Sequence, residues 1–241
     1  MIVAPAARAD DWTADELVAQ LRAQGARYHD LHPFHRRMDA GELTREELQR
    51  WVANRFYYQR CIPIKDAAIV SNCREIEVRR IWVRRILDHD GTSEGTGGIE
   101  SWLRLGEALG VAREELQSER RVLPPVRYAV DAYVNFARQR PWIEAVAASL
   151  TELFGPEAIR VRLAALEQHY PWIDPAALEY FRARLVQAPR DAQGALGLVI
   201  QHCRTRDHQE RAVAALAFKT EMLWAQLDAI ERGTTQPEGG T

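Results

Sequence analysis

Residues 44–73, TREELQRWVANRFYYQRCIPIKDAAIVSNC, decide the fold class. Thr44 followed by Glu47 is a capping box, in which each side chain satisfies a free backbone N–H at a helix start. Behind it Trp51, Arg55, Tyr58, Ile62, Lys65 and Ile69 recur at steps of four and three, one face of a helix. The spacing predicts a long helix, bent at Pro63, which has no N–H to donate. Thr13 and Glu16 open another helix in the same way. Further helices are expected near 14–25, 75–89, 98–110, 112–119, 125–140, 142–154, 156–168, 175–187, 191–205 and 207–231. Breaks are expected at Gly25, His32-Pro33, Gly41, Gly91 through Gly98, Gly110, Pro124-Pro125, Pro141, Gly155-Pro156, Pro171 and Pro189. No stretch alternates apolar and polar residues with a period of two, so strands are not expected. The reading is all-α: one compact helical bundle over residues 1–232, followed by a tail, GTTQPEGGT (233–241), of flexible linker composition. The segment DGTSEGTGG (90–98) is a candidate lid, or a flexible connector.

The chain has 241 residues, 46% hydrophobic and 27% charged, with a formal net charge of −2. That composition belongs to an ordinary soluble globular protein. It offers no broad basic surface for nucleic acid, and no apolar run approaches the roughly 20 residues of a membrane span. The start, MIVAPAARADDW, lacks the pattern of a signal peptide. Cys61, Cys73 and Cys203 are odd in number and form no CxxC, which argues against a disulfide framework and a zinc site and for a reducing cytoplasm. Of 32 basic residues only Lys65 and Lys219 are lysine. Codon usage favouring arginine is the plain cause, but a lysine that survives it is a candidate for a site that needs an ammonium.

Several charges fall on apolar stripes. Val78, Trp82, Arg85 and His89 share one helix face, as do Ala212, Leu216, Lys219 and Leu223. Tyr180 and Arg184 stand four apart beside Phe181 and Leu185; Glu152 is in line with Ala145 and Ala148; Arg162 lies between Val161 and Leu163. Taken singly, each is an ordinary boundary residue, a cation complementing a helix end, or a snorkelling side chain. Taken together, they are buried cations with Glu152 as the one acid to balance them. Burying unpartnered cations costs several kcal/mol per ion, roughly, so the pattern implies a pocket for a polyanion, a polycarboxylate, with His and Tyr available for proton transfer. No phosphate loop, dinucleotide motif, nucleophile elbow or Glu-x-x-His pair occurs. Pro33 between His32 and His35 is read as breaking their helical spacing. No metal, haem or nucleotide cofactor is demanded, which leaves acid–base chemistry or chemistry supplied by the substrate.

The stretches WVANRFYYQRCIPIKDAAI (51–69), RRILDHDG (84–91), GGIESWLRLGEALG (97–110), SERRVLPPVRYAVDAYVNFAR (118–138), SLTELF (149–154), YFRARL (180–185) and FKTEMLWAQLDA (218–229) resemble the pyrroloquinoline quinone biosynthesis protein C (PqqC) family. The resemblance covers about residues 14–230. It implies a haem oxygenase-like helical bundle, a homodimer, and an oxidase without metal or organic cofactor. The reaction it implies is ring closure and eight-electron oxidation of a bicyclic quinone-type tricarboxylate precursor, with O2 as acceptor and H2O2 released. By position it makes His89, Tyr180, Arg184 and His29 the catalytic group. It makes Tyr28, Arg55, Tyr58, Gln59, Lys65, Arg85, Tyr133, Glu152, Arg162 and Lys219 the substrate-binding residues. Ile159 stands where the family usually carries a histidine. The alternatives are a carrier that holds the finished quinone, a thiaminase-like hydrolase using Cys61 or Cys73, and a di-metal oxidase. A pathway carrier protein or a fused C-terminal domain are candidate partners.

Overall fold

The computed structural model describes residues 10–233. The tail read over 233–241 lies outside them except for Gly233, and so do residues 1–9, where no signal peptide was read. Among the described residues there are eleven α-helices and no strand. In order they are α1 (Ala14–Ala23), α2 (Pro33–Asp39), α3 (Arg45–Asn72), α4 (Ile76–Asp90), α5 (Gly98–Ala108), α6 (Arg113–Gln117), α7 (Pro124–Gln139), α8 (Trp142–Ala148), α9 (Gly155–His169), α10 (Glu179–His202) and α11 (Arg206–Arg232). The all-α reading holds.

The long central helix α3 begins at the expected capping box: Glu47 N–H donates to Thr44 Oγ1 at 3.2 Å and Thr44 N–H to Glu47 Oε2 at 2.8 Å. It runs through Pro63 as one helix of 28 residues and packs against α4, α5 and α7. α11 closes the opposite side against α7 and α8, and α10 lies along α8 and α9. Two apolar clusters fill the interior, one around Phe56, Trp51 and Trp102, the other around Leu17, Trp82 and Leu216. Tyr58 of α3 packs against both, so the middle of α3 is where the two cores meet.

The structure adds to or corrects the reading at three prolines. The break at His32-Pro33 holds, since His32 is extended, but Pro33 also starts the unexpected helix α2, with His32 as N-cap accepting at Nδ1 from Phe34 N–H at 3.1 Å. Proline suits the first helical turn, where its missing N–H would have no partner. Pro189 does not separate two helices, since α10 continues from Glu179 to His202 with Pro189 inside it. A proline costs one hydrogen bond, and packing along both halves of α10 outweighs that loss. Pro171 ends α9, but residues 175–178 are a 3-10 turn rather than the start of the next helix. Likewise the helix expected over 142–154 tightens to 3-10 from Ser149 to Leu153.

The candidate lid at 90–98 is a folded turn. Thr92 and Ser93 N–H both donate to Thr96 Oγ1 at 3.2 Å, and that hydroxyl donates to the Ser93 carbonyl at 2.7 Å. Gly91 and Gly97 have φ of +81° and +92°. A Cβ on Gly97 would meet Gly91 N at 2.4 Å, so the turn closes on itself only with glycine there.

Candidate functional site

The stripes on α3, α4, α10 and α11 point inward. Lys65 and Lys219 are each 1% exposed, Arg85 4% and Arg184 5%, and Arg55, Arg162 and His89 are also buried. They surround a cavity between the two cores, with about 790 Å³ of space free of protein atoms counting its mouth. Tyr28, His29, Arg55, Tyr58, Gln59, His89, Glu152, Arg162, Tyr180 and Arg184 line it, with Ile159 on the same wall. Lys65, Arg85 and Tyr133 line a smaller adjoining cavity that shares Tyr58 and Glu152 with the first. Lys219 lines neither. Its ammonium donates to Tyr58 Oη at 2.8 Å and sits 3.6 Å from the centre of the Tyr133 ring, behind the cavity wall.

Glu152 is not the sole buried counter-charge. Arg85 Nη1 reaches Asp191 Oδ2 at 2.6 Å, and its other nitrogens lie 3.6 Å from Asp66 and 3.5 Å from Glu152. Arg184 pairs with Glu152 at 2.7 Å and with Asp191 at 3.2 Å. Lys65 pairs with its neighbour Asp66 and donates to Ser149 Oγ at 3.1 Å. Arg162 holds Asp39 through two nitrogens, at 2.5 and 3.2 Å. Burial alone would raise Asp66 and Asp191, but the cations beside them hold both below the usual carboxylate range. Asp66 was open to the stripe rule, being four residues after Ile62 and three before Ile69. Asp191 lies two turns beyond Arg184, a relation hidden once Pro189 is taken as a helix end. Asp39 lies at the end of α2, hidden behind Pro33.

Among the described residues, two buried cations of the site are left without a carboxylate. Arg55 donates to Gln226 Oε1 at 3.2 Å and lies over the Tyr58 ring at 4.3 Å. Lys219 has only Tyr58 Oη and the two rings. Burial, followed by the charges of Lys65 and Arg55, pushes the Lys219 ammonium well below its usual range. Burial also lowers Arg55.

The imidazoles and phenols of the cavity wall are neutral and oriented. His89 lies with Nδ1 3.0 Å from the Arg85 carbonyl, so Nδ1 carries the proton and Nε2 is the free lone pair. Burial first, then the Arg184 charge, pushes His89 down to about 4. Burial and the cations Arg55, Arg162 and Lys219 push His29 well below its ordinary value. Tyr180 donates to Gln59 Oε1 at 2.9 Å and stands edge-on to Trp102 at 4.9 Å, which fixes its ring. Burial raises the Tyr28, Tyr58, Tyr133 and Tyr180 hydroxyls, so all four are donors at neutral pH. An outer cavity under the 91–97 turn, lined by Gly97, Gly98, Ala183 and Gln187, shares His89, Tyr180 and Arg184 with the central one. The three cysteines are absent from the central wall, and burial pushes Cys61 up to about 11 and raises Cys73 as well. A thiol so raised is a poor nucleophile, against the thiaminase-like alternative.

Residues 18–229 match the model of the TENA/THI-4/PQQC family. The chain is similar to the pyrroloquinoline-quinone synthase of Cronobacter sakazakii, 57% identical over 223 residues that cover 92% of this chain and 89% of that protein. It is 56% identical to the pyrroloquinoline-quinone synthase of Ectopseudomonas mendocina, over 90% and 87% of the two chains. Among solved structures, a TenA homologue from P. horikoshii superposes with a TM-score of 0.71 at 16% identity, covering 91% of this chain and 98% of that one. A domain with a heme oxygenase-like fold from Shewanella denitrificans gives 0.71 at 13% identity, covering 95% and 99%. The expected haem oxygenase-like bundle is the fold these structures share with the chain.

Proposed function

Because the chain belongs to the TENA/THI-4/PQQC family, we propose that it has the activity for which its relatives are named, that of a pyrroloquinoline-quinone synthase. The substrate is the ring-open bicyclic tricarboxylate. The protein closes its third ring and removes eight electrons, with O2 as acceptor and H2O2 released. The electrons come from the substrate itself, and no resident cofactor is invoked.

The observation that carries this reading is the imbalance of charge around the cavity. Arg55 and Lys219 are buried without a carboxylate, beside Arg162 and Arg184, whose acids are already in place. A polycarboxylate supplies the missing negative charge and turns a costly arrangement into a set of charge-assisted hydrogen bonds. The cations also lower the pKa of acidic C–H and O–H groups on the bound substrate. Holding the substrate amine against its target carbon favours ring closure. His89, neutral with a bare Nε2, is the general base for the deprotonations, and His29 is second. Tyr180, Arg184 and His89 face the developing superoxide or peroxide anion, and the 90–98 segment is the candidate lid. The remaining substrate-binding group is Tyr28, Tyr58, Gln59, Lys65, Arg85, Tyr133 and Glu152. Ile159, where a histidine is usual, offers no hydrogen bond, so that contact is auxiliary here.

We further propose a cytoplasmic homodimer. Ile76, Val83 and Leu87 form one exposed apolar face of α4, and a second copy would cover them. Among the described residues no helix is long and apolar enough to cross a membrane. Delivery or removal by a carrier protein, or by a fused C-terminal domain, fits the same reading.

The test is aerobic incubation of metal-free protein with the ring-open precursor, following quinone absorbance and peroxide. Turnover is expected in the wild type; His89→Ala should keep product binding while turnover falls. Binding of the quinone without oxygen consumption by wild type would make the protein a carrier, and normal turnover of His89→Ala would remove its assigned role.

A further inference from the structure

One corner of the cavity departs from its cationic character. His35 of α2 is 1% exposed and lines the cavity. Its Nδ1 stands 2.9 Å from the His29 carbonyl oxygen. A carbonyl only accepts, so Nδ1 carries the proton, and in a neutral ring Nε2 is then a bare lone pair. That Nε2 is buried and has no hydrogen-bond partner. Asp30 Oδ1 and His29 Nδ1, on the same wall, are also buried without partners. An unsatisfied buried polar atom costs about 1–3 kcal/mol, and a native interior keeps few of them. With Trp51 Nε1, an unpaired donor, four such atoms belong to residues lining this cavity, where an occupant can satisfy them.

The kind of partner follows from the protonation states. Burial first, then the Arg162 cation, His29 and Arg55, keeps the His35 imidazole uncharged at neutral pH. Its Nε2 therefore accepts and does not donate. A carboxylate also only accepts and gains nothing there. The arrangement repeats that of His89, whose Nδ1 is likewise committed to a backbone carbonyl, but nothing in the function proposed above uses His35. Its ring centroid lies 4.8 Å from that of His29, so the two imidazoles form a continuous wall.

We infer that His35 is a ligand-contacting residue whose Nε2 accepts a hydrogen bond from an N–H of the bound molecule, with Asp30 Oδ1 a second unpaired acceptor in the same cavity. The nitrogen-bearing edge of an N-heterocyclic polycarboxylate then faces His35, while its carboxylates face the arginines. This rests on the class of ligand proposed above.

Two substitutions separate this from a structural role. His35→Asn keeps an N–H where Nδ1–H stands, preserving the bond to the His29 carbonyl, and removes Nε2. His35→Gln places an amide group where Nε2 stands and gives up the Nδ1 bond. Each protein is titrated with pyrroloquinoline quinone and with benzene-1,3,5-tricarboxylate, which has no N–H. His35→Asn should weaken quinone binding by about tenfold, the equivalent of one lost hydrogen bond, and leave tricarboxylate binding unchanged. His35→Gln should stay close to wild type for both. The reverse order, or equal weakening of both ligands by His35→Asn, would overturn the inference. Nitrogen NMR of wild-type protein with labelled histidine reads the same contact without a substitution. The bare His35 Nε2 resonance should shift on adding the quinone, and an unmoved resonance at saturation overturns the contact. Wild-type protein that ignores the quinone altogether would instead overturn the parent reading.

Discussion

Arg85 Nη1 and Asp191 Oδ2 lie 2.6 Å apart, joining α4 to α10 through the protein interior. The same carboxylate oxygen also takes Arg184 at 3.2 Å, so one acid holds two arginines of the cavity wall. Asp191→Asn leaves both guanidinium groups short of charge where water cannot compensate. Breaking a buried pair in this way costs about 3–5 kcal/mol, which in a chain of this size lowers Tm by roughly 6–20 °C. Thermal melts followed by circular dichroism check this; a Tm within 2 °C of wild type, roughly, would mean that the pair contributes little.

Acid should destabilise the protein in two ways of the same sign. His89 is depressed to about 4 in the folded state, against roughly 6.5 when unfolded. Its contribution to stability is complete above 6.5 and is lost as pH falls through about 4. His29 and His35 are depressed too and act in the same direction. Asp66 and Asp191 are held below the ordinary carboxylate value, so their contribution is lost at lower pH still. Melts between pH 7.5 and 4.5 should show Tm holding down to about 6.5 and falling below it, and His89→Gln should flatten that fall. A Tm independent of pH over that span would contradict burial of neutral imidazoles.

Arg55→Met should move stability and binding in opposite directions. Methionine keeps much of the apolar stem and removes a buried charge that has only Gln226 and the Tyr58 ring for company. Tm should hold or rise, while affinity for pyrroloquinoline quinone falls by about tenfold or more, the loss of one charge-assisted contact. Calorimetric titration beside thermal melts measures both. Unchanged affinity would show that Arg55 does not face the ligand.

How far the site could be read in advance depended on where each residue sits relative to a proline. Arg85, His89, Arg184 and Lys219 lie within uninterrupted helical periods, Lys65 follows a proline read as carried within its helix, and the three- and four-residue steps place each of them inside. Asp191, Asp39 and His35 lie just beyond prolines that look like helix ends but are not: Pro189 is carried within α10 and Pro33 begins α2. A misplaced break discards the phase of the helix, and with it the face on which the next residues fall. The lost residues were mostly acids, which is why the cation cluster looked barer on paper than it is. Asp66, by contrast, is legible on the α3 stripe, four residues after Ile62 and three before Ile69.

The two lysines are also the protein's only side-chain amines, and both are sealed inside. Reagents that acylate primary amines therefore find a folded surface with nothing to attack apart from the chain terminus. Amine crosslinkers cannot bridge two such molecules through lysine, however closely they associate. Any lysine adduct recovered by mass spectrometry records a moment when the interior was open, which makes labelling kinetics a direct clock for breathing of the bundle.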